Sequence, residues 1–143
     1  MKRALALALI LALGSALAAL AQPSASDEAR VRQTVEAYLH GLKFNDVDSL
    51  KKAFWPDAKL LYLKKDKTLG QLTQEQWYEG LRASAGQEEQ GDLKIVSINL
   101  TGPGAAVKVV EVYPKSTYTD YLSLLEISGE WKIVNKIYVV DKR

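Results

Sequence analysis

The 143-residue chain has no cysteine and only one histidine, His40. Without thiols there can be no disulfide, no thiol nucleophile and no thiolate metal site. A single imidazole cannot build a two-histidine metal centre, so no metal is expected. Gly-rich phosphate loops and a nucleophile elbow are also missing, as are internal repeats and low-complexity tracts. Nothing in the sequence calls for a cofactor. A domain without disulfides must hold together by burial alone. At this length roughly two-thirds of the unfolded surface can be hidden, which is sufficient.

Excess charge is scarce too, once the N-terminus is set apart. Lys2 and Arg3 precede an apolar run from Leu5 to Leu13, and Ala19-Leu20-Ala21 precedes Gln22. Positive start, apolar centre and A-x-A site, in that order, predict a secretory signal peptide over residues 1–21. A retained membrane anchor is the weaker alternative, because the apolar run is marginal in length and rich in alanine. The expected product is one domain, residues 22–143, located in the periplasm or outside the cell. The leader takes two of the 19 basic residues and no acid, leaving 17 basic against 17 acidic residues. The pI of 8.7 therefore belongs to the precursor. A neutral domain lacks the bulk field that draws nucleic acid or anionic membrane, so neither is an expected partner. The local run Lys64-Lys65-Asp66-Lys67 reads as a solvated hairpin tip.

Hydrophobic spacing organises the rest. Val31, Val35, Tyr38, Leu39 and Leu42 form one stripe at helical period. Asp46 or Asp48 can cap a second helix running to Phe54, which Pro56 should end. A strand over Lys59–Lys64 turns at Lys65-Asp66-Lys67 towards a partner over Thr68–Leu72. Thr73-x-x-Gln76 is a capping box opening a third helix through Trp77, Tyr78 and Leu81. Residues 83–91 are small and polar and read as a loop. Four strands follow, near 93–100, 105–113, 117–127 and 130–143. Leu93, Ile95 and Ser97 are expected on one face of the first, and Lys94, Val96 and Ile98 on the other. Ser128-Gly129 is the tight turn of the last hairpin. Helices early and an antiparallel meander late predict an α+β domain with helices covering one face of a curved sheet.

That order resembles the nuclear-transport-factor-2-like (NTF2-like, or SnoaL-like) superfamily, also described as cystatin-like cones. The nearest group is the "putative lumazine-binding" family. The resemblance spans Arg30 to Val140. It is carried by Phe54-Trp55-Pro56-Asp57-Ala58, Tyr118-Thr119-Asp120-Tyr121-Leu122 and Gly129-Glu130-Trp131-Lys132-Ile133-Val134-Asn135-Lys136. It implies a cone-shaped fold, a cavity on the concave face and a homodimer formed through the open sheet. True lumazine-binding domains are barrels in tandem repeats, and this chain has no repeat. The resemblance thus implies a cavity and leaves its ligand open.

Five residues are candidates for lining that cavity: Tyr38, Trp77, Asp120, Trp131 and Asn135. His40 is not one of them. At about 100° per residue it lies about 150° from the apolar stripe of its helix and should face solvent. Tyr38 lies on that stripe, and by the resemblance its hydroxyl can reach a ligand. As a core aromatic it would instead satisfy the hydroxyl at the rim. The Ser128-Gly129 turn sets Asn135 opposite Leu122, one step from Asp120, on the face of Trp131 and Ile133. Asp120 on an apolar concave face suits a general base, with Tyr38 or Asn135 polarising a carbonyl. In the structural alternative Asp120 bonds backbone or Lys136. The tryptophans suit core and cavity wall, and Val134 and Tyr138 are expected on the outer, dimer-forming face. Three functions fit: a non-catalytic binding module for a small apolar or aromatic molecule or a protein, a cofactor-free isomerase, cyclase or dehydratase using Asp120, or a structural homodimer with a closed cone.

Overall fold

A computed structural model describes residues 25–143 of the protein. The leader read in residues 1–21 lies outside them. Helix α1 (Ala25–Lys43) buries Val31, Val35 and Tyr38 and carries Asp27 and Glu28 at its positive end. Helix α2 (Val47–Ala53) is capped by Asp46, whose carboxylate accepts from the amides of Asp48 and Ser49 at 3.0 and 3.3 Å. Helix α3 (Gln74–Arg82) opens on the Thr73/Gln76 capping box with both reciprocal bonds present.

Six strands make one sheet: β1 (Phe54–Leu63), β2 (Leu69–Leu72), β3 (Asp92–Thr101), β4 (Gly104–Tyr113), β5 (Ser116–Ile127) and β6 (Glu130–Lys142). Their order is β2-β1-β6-β5-β4-β3. All neighbours run antiparallel except β1 and β6, which are parallel. Pro56 does not end α2. The helix stops at Ala53, and Pro56 sits inside β1, between Phe54 and Lys59, where the ladder to β6 is irregular. That is where a strand tolerates a residue without an amide proton.

Three irregularities bend the sheet, and two of them move side chains from one face to the other. The turn has φ of +51° at Ser128 and +82° at Gly129, matching a two-residue hairpin. From there the pairing runs as expected to Leu124↔Ile133 and then shifts, so that Ser123 faces Asn135 and Leu122 faces Lys136. The extra residue is Val134. A bulge of this kind reverses the alternation beyond it. Lys136 and Tyr138 therefore turn inward, and Tyr138 is not on the outer face. The same happens in β3. The pairing shifts between Ile95 and Ser97, so Leu93, Ile95, Ile98 and Leu100 are half-buried while Val96 and Ser97 are exposed.

The helices cover the concave face unevenly. Val31 and Val35 of α1, Leu50 and Ala53 of α2, and Val107, Leu122, Leu124, Trp131 and Ile133 of the sheet fill the half nearest the Ser128-Gly129 turn. Trp131 is 4% exposed and plugs this half. The other half, towards the end of β4, the start of β5 and the end of β6, is open. The loop over 83–91 is tied to the end of α1. Lys43 Nζ donates to the carbonyls of Glu89 and Gly91 at 2.8 and 2.9 Å, and Asn45 Nδ2 donates to that of Gln87 at 3.1 Å.

Candidate functional site

The open half of the cone is a cavity of about 1020 Å³. Leu42 of α1 and Trp77 and Leu81 of α3 form its roof, and Leu60, Tyr62, Tyr113, Tyr118 and Tyr138 form its sheet wall. Tyr62 and Tyr138 stack at 5.2 Å between ring centroids, while Tyr113 and Tyr118 meet edge to face at 5.8 Å. Tyr62 can lie flat because Gly70 is directly opposite it on β2. A Cβ on Gly70 would come within 2.5 Å of the tyrosine ring.

The floor is polar. Glu111 and Lys136 reach the cavity, and behind them lie Asp120 and Tyr38, both fully buried. Tyr38 Oη donates a short hydrogen bond to Asp120 and lies 3.0 Å from Glu111 Oε1. Lys136 Nζ donates to Tyr38 Oη at 2.6 Å and pairs with Asp120 Oδ2 at 2.8 Å. The Lys136 ammonium also lies 5.0 to 5.3 Å from the ring centroids of Tyr38, Trp77 and Tyr138, within cation–π range. Tyr113 Oη makes a long contact of 3.4 Å to Glu111 Oε2.

Charge and proton counts then decide the state of the floor. One hydroxyl proton on Tyr38 cannot serve two carboxylates, and Asp120 Oδ1 is buried without a donor. Burial first, and then the Asp120 charge, push the Glu111 carboxyl up from its ordinary 4.5 to about 8. At neutral pH Glu111 therefore holds a proton. That proton is the missing donor and leaves Lys136 and Asp120 as a balanced pair. The Tyr38 hydroxyl is held well above its usual range, by burial and then by the two acids, so it stays a neutral donor. The floor thus offers a cation and a neutral acid at neutral pH.

Of the five residues expected at the cavity, Trp77 lines it. Tyr38 and Asp120 are hydrogen-bonded to each other directly behind the floor, where Asp120 also pairs with Lys136. Trp131 belongs to the filled half, and Asn135 pairs with Ser123 and Lys59 away from the cavity. Lys136 takes the place expected for Asn135, because of the bulge at Val134. Glu111 was not singled out from the sequence. The signal for it exists, since Ala105, Val107, Val109 and Glu111 alternate on one face of β4 and all four are buried. His40 faces solvent with its side chain 54% exposed, 3.6 Å from Asp46. Among the described residues no cluster of His, Cys, Asp and Glu is suited to a metal ion. No helix among them is long and apolar enough to cross a membrane.

Three comparisons bear on kinship. The model of the family described as "Putative lumazine-binding" matches residues 26–139. No curated protein matches the chain. Solved structures do. An NTF2-like protein of unknown function from Shewanella baltica superposes with a TM-score of 0.73 at 20% identity, covering 81% of this chain and 94% of that one. An NTF2-like protein from Silicibacter pomeroyi gives 0.72 at 22% identity, covering 83% and 100%. A protein with a cystatin-like fold from Nostoc punctiforme gives 0.60 at 15% identity, covering 82% and 93%. At these identities the likeness is one of fold.

Proposed function

The chain belongs to the family described as "Putative lumazine-binding", within the NTF2-like superfamily, and we propose that it is an exported, non-catalytic module that binds a small flat molecule in the open half of its cone. The observation that carries this is the cavity of about 1020 Å³, with aromatic walls and two polar groups converging on its floor. Specific ligand sites are built this way, from mostly apolar surface with a few placed polar groups. Trp77, Tyr62 and Tyr138 supply an aromatic wall, and Lys136, with one N–H beyond those given to Tyr38 and Asp120, supplies a donor for an acceptor atom. A base has to reach its proton. Asp120 is 0% exposed, and its Oδ2 is already held by Tyr38 and Lys136, which favours binding over catalysis by Asp120. Export rests on the leader-like residues 1–21, and an N-terminus at Gln22 in the secreted protein is its check.

The test is a thermal-shift screen with small planar aromatic compounds. A ligand present at about 100 times its dissociation constant adds about 2.7 kcal/mol, an easily read shift. Silence across a broad set of such compounds removes the proposal.

Homodimerisation belongs to the same proposal. Tyr121, Leu125, Ile137 and Val139 stand 45 to 52% exposed on the convex side of β5 and β6. An apolar face of this kind on a soluble domain suits a partner sheet. Light scattering at micromolar concentration should give twice the chain mass for the native protein and the single-chain mass for Ile137→Glu. A native monomer rejects the dimer and leaves the cavity untouched.

A further inference from the structure

Lys64 and Lys65, at the tip of the β1–β2 hairpin, line the mouth of the cavity together with Lys115 of the β4–β5 turn and Lys142 at the end of β6. The sequence separates these residues by as much as half the chain, and only the fold gathers them. All four are exposed, and among the described residues none has an acid within ion-pair distance. Two acids share the rim, and the four lysines outnumber them. Glu88 pairs with Lys43 at 3.2 Å, and Glu89 Oε1 accepts from Asn45 Nδ2 at 3.0 Å. Asp66, inside the lysine run, turns back to the amide and hydroxyl of Thr68 at 3.0 and 2.7 Å and does not line the cavity. General basicity does not account for this, since the residues after the leader are balanced at 17 basic and 17 acidic.

Unpaired cations around an apolar mouth focus positive potential where a ligand must enter. We infer that the cavity takes an amphiphilic ligand: an apolar ring system held within the aromatic wall, with an anionic group left at the lysine-lined mouth. This rests on the binding function proposed above and adds the charge class of the guest. The floor and the mouth would then act on different ends of the ligand. The floor takes an uncharged acceptor, and the mouth holds the anion in partly screened surroundings where lysine side chains can follow it.

Two fluorescent probes separate this inference from the one beneath it. Anilinonaphthalene sulfonate is flat, apolar and anionic, and N-phenylnaphthylamine is its neutral counterpart. Each is titrated into the full protein and into Lys64→Glu/Lys115→Glu, whose exposed positions leave the core intact, as an unchanged melting curve verifies. The sulfonate should bind about tenfold more weakly to the variant, and about tenfold more weakly to the native protein when salt rises from about 50 to about 500 mM. The neutral probe should change less than about twofold in either case. Equal response of both probes, or sulfonate binding indifferent to the variant, overturns the anionic ligand class alone. If neither probe binds, the cavity-binding function falls with it.

Discussion

Lys136→Met should lower stability by about 3 to 5 kcal/mol, the usual cost of leaving one member of a buried ion pair without the other. Methionine keeps the length and apolar stem of the lysine, so packing against Tyr38, Trp77 and Tyr138 survives. What is lost is the charge. Asp120 is 0% exposed and would lose the ammonium that balances its charge, keeping only neutral donors. For a domain of this size the loss corresponds to a fall in melting temperature of roughly 10 to 20 °C. Asp120→Asn added to Lys136→Met removes the uncompensated charge and keeps an acceptor for Tyr38, so the double variant should recover most of the loss. Urea unfolding of the native protein and the three variants closes the cycle. If Lys136→Met costs less than about 1 kcal/mol, or if the double variant falls as far as the single, Lys136 and Asp120 are not the coupled pair that the 2.8 Å contact indicates.

That pair shows how far the site was legible in advance. Tyr38 could be placed because helical period is a local property, and Val31, Val35 and Tyr38 are all buried. Asp120 could be placed because Ser128-Gly129 announces its own turn type and fixes which residues of β5 look inward. Asn135 was assigned to the floor in place of Lys136 because one extra residue, Val134, enters β6 between the turn and the site. A bulge has no sequence signature as plain as a turn. It is favoured by the curvature of the whole sheet, which is a tertiary demand. The same cause put Ser97 on the inner face where Ile98 belongs. The open and filled halves of the concave face were not separable either. Trp131 and Tyr138 both face inward, and only the seating of the helices decides that Trp131 is packed over and Tyr138 is not. Glu111 is a different case. Period two along β4 placed it in line with three buried apolar residues, and a charged residue in such a row is itself a signal.

Glu111→Gln should stabilise the protein increasingly as pH rises, and the sign follows from where the proton sits. Folding raises the Glu111 pKa from 4.5 to about 8, chiefly by burial. Below pH 4.5 the carboxyl is protonated in both the folded and the unfolded chain and contributes no slope. Between pH 4.5 and 8 the folded chain holds a proton that the unfolded chain has released. Stability therefore falls with rising pH across that window, by more than about 1 kcal/mol per unit from this group. Above pH 8 both states are ionised and the penalty is complete. Glutamine has the shape of the neutral acid and keeps a donor for Asp120 and an acceptor for Tyr113, but it cannot ionise. The difference in unfolding free energy between variant and native protein should thus be near zero at about pH 4 and reach on the order of 3 to 5 kcal/mol in favour of the variant by about pH 9. Taking the difference cancels every other titrating group that the two proteins share. A difference that stays flat over this range would mean that Glu111 is ionised in the folded protein at neutral pH. The floor of the cavity would then present a second negative charge beside Lys136, and the neutral acceptor proposed for it would no longer match.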